Sequence, residues 1–346
     1  MRHSAFAALC LAALLTLSGC ILRADRTPEL TVIGSRTYDA LSAAPSALLW
    51  TPNGNHLVFR HASDGQTLLV YLSLQDGQLA ALAVDPGGEA EYTLSRDGNQ
   101  MAYTRAAGGS TSLIRLPLDG SGPGHALVSA VGAMRSPAFS PDGKRLAYAT
   151  EGGLWVVEAK AGAVPRLLVP AEAAGVPLKL GWLADGRSIA YVAGIPGVPG
   201  KLWQIAAKGG QPALLSAQPV TDVKCSPKRK SLAYVVDGGD GPDTIWLYQG
   251  RQSAQLSKAE TSAREPEWSP DGRRLVYAAY GDSGYARLHI HTLGVAEESI
   301  VYELAGPFAR PAWGPDGAKL AVWWQRPGTS STVHDISVIM LETKPK

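Results

Sequence analysis

A four-residue turn signature recurs along this chain, and its even spacing constrains the fold more than any other feature. SPDG occurs at Ser140–Gly143 and again at Ser269–Gly272. Successive copies are 43 to 45 residues apart, which is the spacing of a repeat protein. The remaining copies are TPNG at Thr51–Gly54, SRDG at Ser95–Gly98, LADG at Leu183–Gly186, the degenerate SPKR at Ser226–Arg229 and GPDG at Gly314–Gly317.

Each copy sits in the same succession of short apolar segments. A large apolar residue such as Phe139 or Trp268 precedes the turn, and a strand-like run such as RLAYA follows it. A third and usually a fourth run come after a Gly-rich connection, with period-two alternation and no long helical period. Four short strands in about 44 residues are typical of one propeller blade.

The ends of the repeat array complete this prediction. The last copy lacks a fourth strand, whereas a spare strand, Glu29–Ser35, precedes the first copy. Pairing the spare strand with the last three would leave no exposed sheet edge. We therefore predict an all-β fold over residues 29–346, a seven-bladed β-propeller of four-stranded antiparallel blades with the ring closed by an N-terminal strand.

The first twenty residues predict export. A basic start, Arg2 and His3, leads into an apolar run from Ala5 to Leu17 that is too short to span a membrane. This pattern indicates a signal peptide over residues 1–19. The run ends in LSGC, which resembles the lipobox of bacterial lipoproteins; an ordinary signal peptide with an incidental cysteine is the alternative.

The lipoprotein resemblance implies that Cys20 carries acyl chains such as palmitate and becomes the first mature residue. Residues 20–28 would then form a short lipidated tether to the membrane. Ile21 follows the cysteine, where an Asp would favour retention in the inner membrane. We therefore expect a lipid anchor in the outer membrane, facing the periplasm.

Charge and cysteine content exclude two further classes. The formal net charge is only +2, which excludes the strong positive field of a nucleic-acid-binding protein. With Cys10 in the signal peptide and Cys20 lipidated, Cys225 has no partner for an internal disulfide. Cys225 takes the place of the large residue before the turn, which predicts a buried, unreactive thiol.

The repeats resemble those of the TolB family, periplasmic components of the Tol–Pal envelope system. The most faithful copies are Ser136–Thr150, Glu265–Ala279 and Arg310–Trp323. Related repeats occur in the propellers of prolyl oligopeptidase-type enzymes. The chain departs from TolB, which has six repeats and a preceding α/β domain. The resemblance implies a β-propeller that works in the cell envelope, without fixing its activity.

The aspartates of the turns are tempting as a set of catalytic carboxylates, but a structural role is favoured. Ser, Pro and Gly at the first, second and fourth positions fit a type I turn followed by a residue at positive φ. The Asp at the third position would accept a local backbone hydrogen bond. One carboxylate per blade, spread around a rim, cannot converge on one metal ion.

Histidines keep an enzyme hypothesis open. His289 and His291 alternate along one strand and so lie on the same side of it. Lyases of the oligogalacturonate type also use a seven-bladed propeller, with histidine metal ligands. His61 and His334 complete the available pool. Packing is the alternative role, because His289 falls where other repeats have Trp155, Trp203 and Trp246.

The sequence favours a non-catalytic function, a protein-binding scaffold in the cell envelope that needs no cofactor. Its partner would be one or more envelope proteins of unknown identity, contacted through the connections between second and third strands. Asp240, Tyr285 and Arg326 are the nominated contact residues. A propeller that binds glycans or small ligands and a metal-dependent polysaccharide lyase are the alternatives.

Overall fold

The computed structural model describes residues 29–42, 47–63, 66–85, 91–118, 122–258, 260–281, 284–295, 299–306, 308–325 and 333–344. Within these ranges it contains β-strands and a single four-residue helix, α1 (Ala171–Ala174), so the predicted all-β class is confirmed. No helix in the described part of the chain is long and apolar enough to cross a membrane. The predicted signal peptide and the predicted lipidation site, Cys20, lie outside these ranges.

The strands follow the succession of apolar segments in each repeat, and β1 (Glu29–Ser42) precedes the first repeat. The strands of the first three repeats are β2 (Leu49–Trp50), β3 (His56–Ser63), β4 (Gln66–Ser73), β5 (Leu79–Asp85), β6 (Tyr92–Leu94), β7 (Gln100–Ala107), β8 (Ser110–Pro117), β9 (His125–Val131), β10 (Met134–Phe139), β11 (Arg145–Thr150), β12 (Gly153–Glu158) and β13 (Arg166–Pro170).

The remaining repeats continue in the same order. Their strands are β14 (Val176–Trp182), β15 (Ser188–Gly194), β16 (Gly200–Ala206), β17 (Ala213–Cys225), β18 (Leu232–Val236), β19 (Thr244–Gln249), β20 (Gln252–Gln255), β21 (Ser262–Trp268), β22 (Arg274–Tyr280), β23 (Ala286–Thr292), β24 (Ser299–Leu304), β25 (Ala309–Trp313), β26 (Lys319–Gln325) and β27 (Val333–Lys344).

These strands form five antiparallel sheets of four strands and one sheet of seven, β14 to β20, in the described part of the chain. The longer sheet differs from the expected pair of four-stranded sheets because β17 is continuous. Its first half pairs with β16 as the last strand of the fourth repeat. After a register shift between Val220 and Asp222, its second half pairs with β18 as the first strand of the fifth repeat.

The sheet of the last repeat includes the N-terminal strand. β1 pairs antiparallel with β27, from Glu29 opposite Lys344 to Ser42 opposite Val333. The order in this sheet is β1, β27, β26, β25, so β1 occupies the place of the missing fourth strand. Pairing with β1 therefore satisfies the backbone groups of β27 on the side away from β26.

The turns have the local structure that their sequence predicts. Ser140 Oγ donates to Asp142 Oδ1 at 2.6 Å, and the Lys144 amide donates to the same carboxylate oxygen at 3.1 Å. Gly143 has a φ of 68°, in the region that favours glycine. The hydrogen bond from Ser140 is the main cause that lowers the pKa of Asp142. The turn aspartate is thus engaged in its own turn.

Three of the tryptophans that precede turns join neighbouring repeats by a hydrogen bond. Trp182 Nε1 donates to the Ala138 carbonyl of the preceding repeat at 3.0 Å, and Trp268 Nε1 donates to that of Lys224 at 2.9 Å. Trp50 makes the corresponding bond to Ala312, so the first repeat contacts the seventh in the same way. These tryptophans therefore link the sheets of neighbouring repeats.

The two ends of the sheets differ. At the turn end lie the Ser-Pro-Asp-Gly turns together with the connections between third and fourth strands, as the hydrogen bond from the Ala159 amide to the Lys144 carbonyl shows. At the loop end lie the connections between second and third strands, such as 195–199 and 237–243. The innermost strand of each repeat runs from the loop end to the turn end.

Candidate functional site

The innermost strands surround a cavity of about 540 Å³, a size typical of ligand pockets. It is lined by the residue four positions before each turn, which we call the channel column. Unlike the turns, the channel column differs from repeat to repeat. Its members are Ala47, Glu91, Ser136, Lys179, Asp222, Glu265 and Arg310.

The cavity carries balanced charge rather than a field of one sign. Lys224 and Glu267, each two positions after a channel-column residue, add a second pair of charged side chains. Arg60 of β3 also lines the wall. Four carboxylates therefore face four cations in one cavity. The carboxylates are Glu91, Asp222, Glu265 and Glu267, and the cations are Arg60, Lys179, Lys224 and Arg310.

A two-pronged ion pair joins the sixth and seventh repeats in the wall. Arg310 Nε donates to Glu265 Oε2 and Arg310 Nη2 to Glu265 Oε1, both at 2.8 Å. Burial alone would raise the pKa of Glu265, but the charge and hydrogen bonds of Arg310 outweigh it and the pKa is lowered. The carboxylate therefore stays ionised. Because two hydrogen bonds join the side chains, their relative orientation is fixed.

A second pair lies beside the first. Lys224 Nζ is 3.3 Å from Glu267 Oε2, with both side chains a little more than one-third exposed. The charge of Glu267 is the main cause that raises the pKa of Lys224, with further contributions from Asp222 and Glu265. Lys224 is therefore a permanent cation.

Two residues of the channel column have unusual backbone conformations. Ser136 has a φ of 53° and Glu265 a φ of 56°, in the left-handed region that non-glycine residues seldom adopt. Both lie at register shifts in the innermost strand, between Arg135 and Ala138 and between Arg264 and Glu267. The bulge at Ser136 turns its amide toward the neighbouring repeat, where it donates to the Glu91 carboxylate.

Lys179 is the accessible charge of the site. It is exposed, and it has no ion-pair partner among the residues that the structure describes. Its charge reaches the interior, since it helps to lower the pKa of Glu265. Asp222, on the next repeat, is half-buried and accepts a hydrogen bond from the Val223 amide at 2.8 Å. Lys179 is therefore the most exposed charged residue of the channel column.

The turn end of the cavity is bridged by a side chain. Arg96 Nη2 of the second repeat donates to the Pro227 carbonyl of the fifth repeat at 2.8 Å, although the two residues are 131 positions apart. This bond crosses from one side of the molecule to the other at the turn end. Access to the channel column is therefore better from the loop end, where the innermost strands begin.

The contact residues nominated from the sequence lie outside the cavity wall. Asp240 is exposed in the connection between β18 and β19, and Tyr285, 43% exposed, immediately precedes β23. Both are at the loop end, the end at which the channel column lies. Arg326 is outside the described residues.

In the same connection as Asp240, the flanking aspartates hold the backbone. The Gly238 amide donates to Asp243 Oδ1 at 3.0 Å, and the Asp243 carboxylate also pairs with Arg264. Arg264 directly precedes Glu265 of the channel column. The connection is therefore tied to the start of the innermost strand of the next repeat.

The four candidate histidines are distributed over three sheets. His61 lies on β3, His289 and His291 on β23, and His334 on β27. His289 stacks on Tyr277 and His334 on Trp323, each with ring centroids 5.2 Å apart. Among the described residues no group of three or more His, Cys, Asp or Glu side chains is arranged to hold a metal ion.

Cys225 occupies the place of the tryptophans, as its position in the repeat suggests. Its Sγ lies 3.2 Å from where a Cβ on Gly181 would stand, so a side chain at residue 181 would press on the sulfur. Burial raises the pKa of the Cys225 thiol to about 12. The group is thus a neutral thiol at physiological pH.

The channel column is not among the residues predicted from the sequence, although the sequence carries a signal for it. In a repeat where most positions are alike, the residue four places before the turn carries Glu, Lys, Asp, Glu and Arg in different copies. Only the arrangement of the sheets around a common cavity shows that these residues meet. Variation between repeats at one inward position is the pattern that would have identified the site.

Comparison with known proteins places the fold. No family model matches the chain. TolB of Alcanivorax borkumensis, a Tol-Pal system protein, is 33% identical over 79 residues, which are 23% of this chain and 18% of that protein. An uncharacterized peptidase of Bacillus subtilis, YuxL, is 26% identical over 110 residues, 30% of this chain and 17% of the peptidase. The matches thus span less than a fifth of these curated relatives.

Solved structures resemble the chain over most of its length. An oligogalacturonate lyase in complex with manganese has a TM-score of 0.64 at 16% identity, covering 91% of this chain and 98% of the lyase. The Cps50 (Swd1) β-propeller domain of Myceliophteria thermophila has a TM-score of 0.60 at 17% identity, with 88% and 99% covered. TolB of Acinetobacter baumannii has a TM-score of 0.50 at 14% identity, with 90% and 81% covered.

These similarities define the class of protein. The fold is a β-propeller, and at such low identity the structural neighbours show the fold alone. Together with the local sequence match, they show a TolB-like propeller protein that is not TolB itself, which confirms the resemblance seen in the repeats.

Proposed function

We propose that the chain is a seven-bladed ring closed by β1, and that it is a lipid-anchored periplasmic scaffold that binds an envelope protein at the cavity. Ring closure is supported by the bond from Trp50 to the Ala312 carbonyl, which repeats the contact between consecutive blades. It is also supported by the turns: a Cβ on Gly54 would stand 3.4 Å from Pro315, and a Cβ on Gly186 would stand 3.6 Å from Pro141 of the preceding repeat. In a seven-bladed ring, β17 provides the last strand of the fourth blade and the first strand of the fifth.

The observation that carries the binding function is the charged cavity itself. Its polar side chains differ from blade to blade, so they are not required by the repeat. Two of them sit on strained backbone, Ser136 and Glu265, and such strain is concentrated at functional sites. A balanced set of charges suits recognition of a polypeptide segment that carries both signs, since electrostatic complementarity determines specificity.

Location in the cell envelope is supported by the TolB-like repeats and by the signal peptide and lipobox pattern at residues 1–20. Lipidation of Cys20 and anchoring in the outer membrane complete the proposal. Mass spectrometry of the N-terminal peptide of the membrane-bound protein tests them. A peptide that begins at Cys20 with added acyl mass is expected, whereas an unmodified, soluble chain contradicts the anchor.

Crosslinking in intact cells, followed by mass spectrometry, tests the scaffold role. The wild-type chain is expected to capture an envelope protein, and a Lys179→Ala, Asp222→Asn double variant to capture it several-fold less. Lys208→Ala, which removes an exposed cation at the turn end and outside the cavity wall, is the control and should capture the partner normally. Capture that is the same for all three proteins would exclude the cavity as the binding site.

A lyase function is the second candidate, because the oligogalacturonate lyase shares the fold over nearly its whole length. The cations Arg60 and Lys179 in the cavity would bind the carboxylates of an acidic sugar chain. Incubation with oligogalacturonate, with and without added manganese, distinguishes this candidate. Appearance of an unsaturated sugar end would establish lyase activity, and its absence together with partner capture supports the scaffold.

A further inference from the structure

We propose that the turn end of the molecule is a docking surface for anionic phospholipid headgroups. The residue after the fourth turn position is a cation in four consecutive repeats, the third to the sixth, and the degenerate fifth turn itself carries two more cations. All six side chains are exposed at the turn end, and we call this set the basic arc. Its members are Lys144, Arg187, Lys228, Arg229, Lys230 and Arg273.

The carboxylates within the arc are already engaged in the turns. Asp142 accepts hydrogen bonds from Ser140 Oγ and the Lys144 amide, and Asp271 accepts the equivalent pair from Ser269 Oγ and the Arg273 amide. In the fifth turn Lys228 replaces the aspartate altogether. In the fourth turn Asp185 accepts a hydrogen bond from the Arg187 amide. The arc therefore has six cations against three carboxylates, in a chain whose formal net charge is only +2.

The fifth turn is held so that its cations project. The Arg229 amide donates to Ser226 Oγ at 3.2 Å, and the Pro227 carbonyl accepts from Arg96, so the backbone is fixed from both sides. Lys230 keeps 78% of its side chain exposed even though Asp185 is 3.8 Å away. These cations can reach a surface without any rearrangement of the turn.

The direction of the N-terminal strand brings this same end toward the bilayer. The Leu341 amide donates to the Ala318 carbonyl, which places the end of β27 at the turn end. Glu29 pairs with Lys344, so the chain before β1 also leaves from the turn end. Cys20 is nine residues before Glu29 and can be at most about 30 Å from it.

Charge and tether thus point to one orientation. The argument from the tether rests on the proposed lipidation of Cys20, whereas the argument from the basic arc does not. Lys and Arg side chains near an anionic membrane surface each strengthen binding about fivefold. In this orientation the loop end, with Lys179 and the channel column, opens away from the membrane toward a soluble or neighbouring partner.

Vesicle sedimentation with the chain from Ile21 to Lys346 tests the arc, because this chain lacks the acyl chains and retains every described residue. We expect it to bind vesicles of phosphatidylglycerol and phosphatidylcholine but not vesicles of phosphatidylcholine alone, with binding lost as salt is raised. Because the assay contains no acyl chain and no protein partner, its failure is independent of the anchor and the scaffold role.

Charge reversal provides the matched comparison. The triple variant Lys228→Glu, Arg229→Glu, Lys230→Glu should lose at least about a hundredfold in vesicle affinity, because it removes three cations and adds three anions. The control reverses three exposed cations at the loop end, Arg105, Lys201 and Lys258, and should bind as the unmodified chain does. Circular dichroism melts establish that both variants are folded.

Three results would overturn the proposal: equal binding to neutral vesicles, no binding at low salt, or equal losses in the two folded variants. Crosslinks from the arc to an acidic protein, in the absence of vesicle binding, would instead assign the surface to a protein partner.

Discussion

Glu265 and Arg310 face each other across the wall of the cavity and share two hydrogen bonds of 2.8 Å. They come from neighbouring repeats, on β21 and β25, and their side chains are only 20% and 25% exposed. The pair therefore acts both as a link between two sheets and as part of the charged site. Its removal should be detectable in stability as well as in binding.

Glu265→Gln should lower the free energy of unfolding at pH 7 by about 2 kcal/mol, between the values of exposed and buried pairs. The lowered pKa of Glu265 sets the pH dependence. Its contribution is present above the unfolded value of about 4.3 and is lost as pH falls through the folded value. Urea unfolding from pH 7 to pH 3 should therefore show the variant and the wild type converging in acid.

The matched control for this experiment is Glu303→Gln. Arg287 and Glu303 form a 2.7 Å pair of which both side chains are nearly half exposed. Breaking this pair should lower the free energy of unfolding by about 0.5 kcal/mol or less, because exposed ion pairs contribute little to stability. Equal losses in the two variants, or a gap that persists in acid, would contradict the role given to Glu265.

Contact between successive turns can be separated from backbone strain by two glycines. Gly98 has a φ of 68° and Gly109 a φ of 79°, so alanine costs about 1 kcal/mol of strain at either site. A Cβ on Gly98 would stand 2.0 Å from Pro52 Cγ, whereas at Gly109 nothing lies within 4 Å. Gly98→Ala should therefore lower the free energy of unfolding by roughly 1–2 kcal/mol more than Gly109→Ala does, as measured by urea unfolding. Indistinguishable losses would mean that the turns do not press on one another.

Ring closure can be measured by comparing two tryptophans. Trp268 bonds to the preceding repeat, and Trp50 makes the same bond from the first repeat to the seventh. If the ring is closed, Trp50→Phe and Trp268→Phe should each lower the free energy of unfolding by about 1 kcal/mol. A negligible effect of Trp50→Phe beside a full effect of Trp268→Phe would indicate that the first and last repeats are apart in solution.

The Cys225 thiol should react slowly with iodoacetamide. With a pKa of about 12, it has about a thousandfold less thiolate at pH 8 than an ordinary cysteine. In the chain from Ile21 to Lys346 it is the one cysteine of the sequence, so mass spectrometry follows it directly. The alkylation rate should keep rising beyond pH 10. A rate that levels off near pH 8.5 would show that the thiol is not shielded.

The features that the sequence predicted are those decided within a few residues. The Ser140 and Asp142 hydrogen bonds and the positive φ of Gly143 follow from turn chemistry alone. The continuous β17 depends on how one repeat passes into the next, which residues near in sequence do not determine. The cavity depends on all the repeats together, since Glu265 and Arg310 are 45 residues apart and meet only through the packing of sheets.

The central claim is that the cavity at the loop end is where an envelope protein binds, and site-specific photocrosslinking tests it most directly. A photoreactive residue would replace Lys179 in one variant and Ile300, which is 62% exposed on the outer strand β24, in the other. After illumination of intact cells, we predict a discrete adduct with an envelope protein from position 179 and none from position 300. An adduct from position 300 alone, or none from either in the folded and exported protein, would contradict the claim.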